Sequence, residues 1–106
     1  MFNYYIYRTY FNAKHSFNGD ITKIHGHSFT VVTYIGMKDS KEDIPFFKLE
    51  AIISSFIDQY RGRYLNELPE FEGCGNTLET IGDYFYEKLR KQLMKSGMEI
   101  YQLDIS

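Results

Sequence analysis

From Phe2 to Phe11 the chain is dense in aromatic and β-branched residues, the types that favour a pleated surface, and this run predicts a first strand. Ser28 to Ile35, Ser-Phe-Thr-Val-Val-Thr-Tyr-Ile, predicts a second, closed by Gly36, with the turn signal Asn18-Gly19-Asp20 between the two. Met37 to Asp43 is polar and reads as a surface loop. The period then changes. From Pro45, a residue tolerated at a helix start, Phe46, Leu49, Ile53, Phe56 and Tyr60 recur at helical spacing and form one apolar stripe. After Arg61-Gly62-Arg63, the run Tyr64-Leu65-Asn66 and Glu67-Leu68-Pro69 leaves the helix for a loop. Asn76 caps a second helix, with Glu79 three residues on in a capping-box pattern, and Leu78, Ile81, Phe85, Leu89 and Leu93 make its stripe. Lys88, Arg90, Lys91 and Lys95 gather near its end, where cations suit the helix dipole, and Ser96-Gly97 stops it. Met98 to Ser106 alternates weakly as a last strand. The expectation is one α+β domain over residues 1–106 in the order β-β-α-α-β, with an antiparallel sheet carrying two helices on one face.

Composition narrows the function classes. A hydrophobic share of 43% with 25% charged residues is ordinary for a globular domain, and no segment approaches the apolar run of a transmembrane helix. The start, Met1-Phe2-Asn3-Tyr4, has neither a basic leader nor a plain apolar stretch, so no secretory signal is expected. The single cysteine, Cys74, excludes a disulfide framework within the chain and suits a reducing, cytoplasmic setting. A formal charge of −2 argues against nucleic-acid and anionic-membrane partners.

The chain has three histidines, His15, His25 and His27. If His25 and His27 lie on a strand, the period of two turns both imidazoles to one face, and a third ring from a neighbouring strand completes a triad. Three neutral imidazoles leave zinc's fourth position open, the arrangement of a catalytic rather than a closed structural site. Surface histidines without a metal are the competing reading, because H-x-H is a short pattern. On the second strand Phe29, Val31 and Ile35 would share the histidines' face, so the metal would border apolar packing.

Four segments in order, Phe11-Asn12-Ala13-Lys14-His15, His25-Gly26-His27-Ser28-Phe29, Tyr64-Leu65-Asn66 and Asn76-Thr77-Leu78-Glu79, resemble the 6-pyruvoyl tetrahydropterin synthase and 6-carboxytetrahydropterin synthase family. The resemblance implies a tunnelling fold, in which subunits pool antiparallel strands into a barrel with helices outside, commonly as a dimer of trimers with sites between subunits. It also implies Zn2+ held by His15, His25 and His27, and a reduced pterin as the small-molecule ligand. Thr77 and Glu79 occupy a Thr-x-Glu motif that resembles a pterin-contacting helix start, although capping explains both residues equally well. Asp104 stands near the place of a family glutamate that accepts hydrogen bonds from the pterin's amino-pyrimidine edge, the alternative being an exposed, solvating carboxylate.

The chain departs from this family at the proton relay. The family's cysteine falls at Ile21 and its Asp-His pair at Arg61 and Gly62, none of which handles a proton. Asp20, otherwise a turn residue, and Cys74, otherwise a small loop residue, are the candidate replacements. Two main function classes follow: a zinc-dependent lyase or synthase of altered chemistry, and a non-catalytic pterin-binding or assembly protein that keeps the metal. A zinc that only ties the first two strands together is a third.

Overall fold

Strands β1 (Tyr4–His15) and β2 (His25–Met37), helices α1 (Phe46–Asp58) and α2 (Leu78–Met94), and strand β3 (Met98–Ile105) follow one another in the computed structural model. It describes residues 4–16, 22, 24–39, 43–71 and 78–106. The order is the one the hydrophobic pattern predicts. The strands form one antiparallel sheet, ordered β1-β2-β3, with β1 and β3 as its outer strands. The core lies between the helices and one face of this sheet. Phe11 and Ala13 of β1 and Phe29, Val31 and Ile35 of β2 meet Leu49, Ile53 and Ile57 of α1 and Ile81, Phe85, Leu89 and Leu93 of α2. Each such large side chain contributes roughly 1.5–3 kcal/mol on burial. Thr33, buried on the same face of β2, donates its hydroxyl to the Tyr7 carbonyl at 3.2 Å and so does not enter the core unsatisfied.

Both strands are longer than their hydrophobic runs. β1 continues four residues beyond Phe11 because the segment after α1 pairs with its outer edge. The Gly62 N–H donates to the Asn12 carbonyl at 2.6 Å, the Lys14 N–H donates to the Arg63 carbonyl at 2.8 Å, and Arg61 Nη1 donates to the Tyr10 carbonyl at 3.0 Å. Gly36 does not end β2. It lies opposite Tyr4 on one side and Glu99 on the other, and the Tyr101 ring covers it so closely that a Cβ there would stand 2.6 Å from Tyr101 Cε2. The register of β2 with β3 shifts between Tyr34, opposite Gln102, and Ile35, opposite Ile100, which leaves Tyr101 as the extra residue of a bulge.

The helices follow their stripes with three exceptions. Phe46 at the start of α1 stays half exposed and packs its ring on Tyr5 at 4.7 Å, while Ile57, outside the predicted stripe, is fully buried. Leu78 opens α2 on the exposed side. Tyr60, just past α1, is a packing residue as expected, set among Phe56, Phe71 and Phe85, with its hydroxyl donated to Glu70 Oε2 at 3.2 Å. Burial, then its neighbours Tyr84 and Glu70, raise the Tyr60 pKa well above the ordinary phenol value. Gly97 stops α2 as predicted, with φ of +75° and its N–H on the Met94 carbonyl at 3.1 Å. The Asn76 cap lies outside the described residues. Among the described residues no helix is long and apolar enough to cross a membrane.

Candidate metal centre

The β1–β2 register sets His15 directly opposite His25, and Ala13 opposite His27, so the three histidines share one face at one end of the strand pair. His15 is buried, His27 half-buried and His25 exposed. The ring centroids of His15 and His25 are 4.4 Å apart, and those of His15 and His27 are 5.5 Å apart. One ring nitrogen from each residue lies within 4.8 Å of the other two. A tetrahedral zinc with Zn–N bonds of about 2.0–2.1 Å separates its ligand nitrogens by roughly 3.4 Å, a contraction that modest ring rotations supply. Three imidazoles with one solvent-facing member fit a zinc ion that retains a position for a ligand oxygen.

Packing supports the His15 and His27 rings from behind, and hydrogen bonds fix the backbone beside His15. Phe29, with no exposed surface, meets His27 at 4.5 Å and the His15 ring edge-on at 5.6 Å, and itself stacks on Phe11 at 4.8 Å. The residue after His15 is clamped by a segment 50 positions away. The Ser16 N–H donates to Asn66 Oδ1 at 3.0 Å, and Asn66 Nδ2 donates to the Ser16 carbonyl at 2.9 Å. The Asn66 amide thus imitates a neighbouring strand. The Ser16 and Tyr64 hydroxyls share a further bond of 2.8 Å, and Leu65 between them is fully buried. In the sequence Tyr64-Leu65-Asn66 reads as a loop, so this clamp is not seen there. The signal was an amide side chain in a short motif separated from the histidines along the chain.

Arg61 and Gly62, where the resemblance would place an Asp-His pair, carry structural duties. The Arg61 guanidinium bonds Asp58 Oδ1 through Nη2 at 3.0 Å and Nε at 3.1 Å, besides the Tyr10 carbonyl. Gly62 takes φ of +75°, a conformation that L side chains rarely adopt. Neither supplies a proton donor or acceptor to the histidines.

Asp20, Ile21, Cys74 and Thr77 lie outside the described residues. Glu79 and Asp104 both border a groove of about 390 Å³ between the first turns of α2 and the end of β3, with Gly82 and Tyr86 among its other walls. Gln102 Nε2 donates to both Asp104 oxygens, at 2.8 and 3.1 Å. Asp83 also lines this groove and was not singled out from the sequence, although its spacing of four from Glu79 puts both on one side of α2. None of the three histidines lines it.

The comparisons with known proteins agree with this architecture. A family model described as 6-pyruvoyl tetrahydropterin synthase matches residues 5–106. The structure of Caenorhabditis elegans 6-pyruvoyl tetrahydropterin synthase matches with a TM-score of 0.81 at 19% identity, covering 100% of this chain and 89% of that one. At that identity the likeness speaks to fold alone. No curated protein matches the chain.

Proposed function

The chain belongs to the 6-pyruvoyl tetrahydropterin synthase family, and from that premise we propose that it holds Zn2+ at His15, His25 and His27 and there acts on a reduced pterin of the 7,8-dihydroneopterin triphosphate kind. The observation that carries this reading is the convergence of three ring nitrogens to within 4.8 Å on one sheet face, with His25 open to solvent. When bound, zinc supplies a Lewis acid for an oxygen of the pterin side chain. The other tasks fall to this chain's residues. Phe29 and the Asn66 clamp hold the imidazoles in place. In this reading Glu79 and Asp104, which share one groove, accept hydrogen bonds from the amino-pyrimidine edge, and Thr77 adds a hydroxyl contact.

A second reading, binding without turnover, is favoured by one observation. Arg61 is engaged with Asp58 and the Tyr10 carbonyl and Gly62 has no side chain, so the relay positions hold no group that moves a proton. A missing general acid or base typically costs about 10²–10⁴-fold in rate. Assembly with further copies of the chain belongs to the same proposal. Ser106 and Thr30 exchange two backbone bonds, at 2.9 and 3.0 Å, so by ladder alternation Leu103 and Ile105 turn their backbone groups to the free edge of β3.

The test is calorimetry and mass-spectrometric product analysis of the zinc-loaded protein with 7,8-dihydroneopterin triphosphate, beside a chelated sample and His27→Ala. Saturable binding that disappears in both controls supports the proposal, and product in the zinc-loaded sample alone selects the enzyme. Binding with unchanged substrate selects the second reading. Equal or absent binding in all three samples refutes both.

A further inference from the structure

Alternation along the strands sends Tyr4, Ile6, Arg8 and Tyr10 of β1, with Val32 and Tyr34 of β2, to the sheet face that the helices do not cover. On β3 the register sets Gln102 opposite Tyr34 and Asp104 opposite Val32, so both join that face, and the bulge lays the Tyr101 ring over Gly36. The result is an apolar surface left to water. Tyr4, Ile6, Tyr10 and Tyr101 are 55%, 49%, 59% and 46% exposed. At roughly 150–250 Å² for a whole aromatic side chain, these four alone leave about 400 Å² uncovered. Two such faces laid together with their flanking residues bury on the order of 1,000 Å², where specific interfaces begin.

Charge decides how two such faces meet. The row that crosses the sheet at Val32 carries Arg8 on one outer strand and Asp104 on the other. At about 4.8 Å per strand they stand roughly 9.6 Å apart. Among the described residues the two ion pairs join Arg61 with Asp58 and Arg90 with Glu87, and include neither Arg8 nor Asp104. Gln102 Nε2 donates to both Asp104 oxygens, which holds that carboxylate on the open face. A second copy turned over about a two-fold axis parallel to the strands lays its β3 over β1 of the first. Arg8 then faces Asp104 of the second copy, twice, on either side of Val32. A two-fold axis through Val32 but across the strands stacks β1 on β1 and sets Arg8 against Arg8.

We propose that the chain forms an isologous dimer through this open sheet face, with Arg8 of each copy paired to Asp104 of the other around a centre of Ile6, Val32 and Tyr34. The proposal rests on neither zinc nor the pterin reading, and it gives Asp104 a partner when no ligand is bound.

Sedimentation velocity of the full chain, chelated and without ligand, tests it over about 1–100 µM, the range suited to an interface of this size. The wild type is expected to pass from monomer to dimer in that series. Arg8→Asp, which sets carboxylate against carboxylate, should weaken dimerisation at least about tenfold, and the exchange Arg8→Asp with Asp104→Arg should restore most of it. Tyr10→Lys, a change at an exposed position, should weaken the dimer without lowering Tm by more than a few degrees. A wild type that stays monomeric, a dimer indifferent to Arg8→Asp, or loss that the exchange does not recover overturns the proposal. Trimers or larger closed species that persist in all variants overturn it as well, and point to edge-to-edge assembly through β3.

Discussion

Replacing Asn66 with alanine removes both hydrogen bonds between its amide and the backbone of Ser16, the residue that follows the metal-centre histidine His15. Ser16 is only 1% exposed, so its N–H and carbonyl do not regain full hydration when the amide is gone. Each lost bond is worth about 0.5–1.5 kcal/mol net, and a buried group left without a partner costs about 1–3 kcal/mol. Asn66 itself is half-buried, so water relieves part of that cost. The expected destabilisation is therefore about 2–4 kcal/mol, against a total stability of about 5–15 kcal/mol for a small domain. The corresponding fall in Tm is roughly 10–25 °C. Urea denaturation of the chelated protein isolates this effect from metal binding. Ser16→Ala, which loses only the hydroxyl contact with Tyr64, should cost about 1 kcal/mol in the same assay. The clamp also fixes the backbone beside His15, so zinc affinity in Asn66→Ala should fall about 10–100-fold, as it does when the support of a metal ligand is removed. A chelated Asn66→Ala protein within about 0.5 kcal/mol of the wild type, on the scale of an ordinary surface change, would show that the Asn66 amide does not hold Ser16 in place.

Phe29→Leu preserves an apolar core residue but removes the ring that meets His15 and His27, so competition with a chromophoric chelator should report weaker zinc binding at a stability loss of about 1 kcal/mol. If both fall together by several kcal/mol, Phe29 is a core residue only. Gly62→Ala should cost about 1–2 kcal/mol in thermal unfolding from its φ of +75° alone, since a Cβ there meets no atom within 4 Å, and Gly62→Asn should cost less. Equal stability of the alanine variant would disprove the left-handed conformation. Tyr60 has its pKa raised, so stability it contributes is present below the ordinary phenol pKa near 10 and is lost as pH rises above it, where the unfolded chain ionises and the folded one does not. Denaturation midpoints between pH 8 and pH 11, approximate limits bracketing that value, should therefore fall less steeply for Tyr60→Phe than for the wild type; parallel curves would count against this.

Much of the fold is legible because the chain is locally consistent. Phe29, Val31 and Ile35 alternate, Ile81, Phe85, Leu89 and Leu93 recur at helical spacing, and the structure buries all seven. The metal-site histidines are legible for the same reason: a period of two puts His25 and His27 on one face, and pairing brings His15 across. What the pattern misses depends on distant partners. The last four residues of β1 are held by backbone groups of residues 62 and 63, and Asn66 works on Ser16 through an amide that has no periodicity. Gly36 reads as a terminator, yet Tyr101 from β3 covers it within the sheet. Phe46 and Leu78 fit their stripes but fall at helix starts, where the core no longer reaches them.

Zinc K-edge X-ray absorption on protein of known metal content decides whether His15, His25 and His27 together hold one zinc ion. One zinc per chain with three imidazole nitrogens at about 2.0–2.1 Å, and loss of stoichiometric zinc in His27→Ala, is the predicted result. Substoichiometric zinc in the wild type, or an unchanged spectrum and content in His27→Ala, would contradict it.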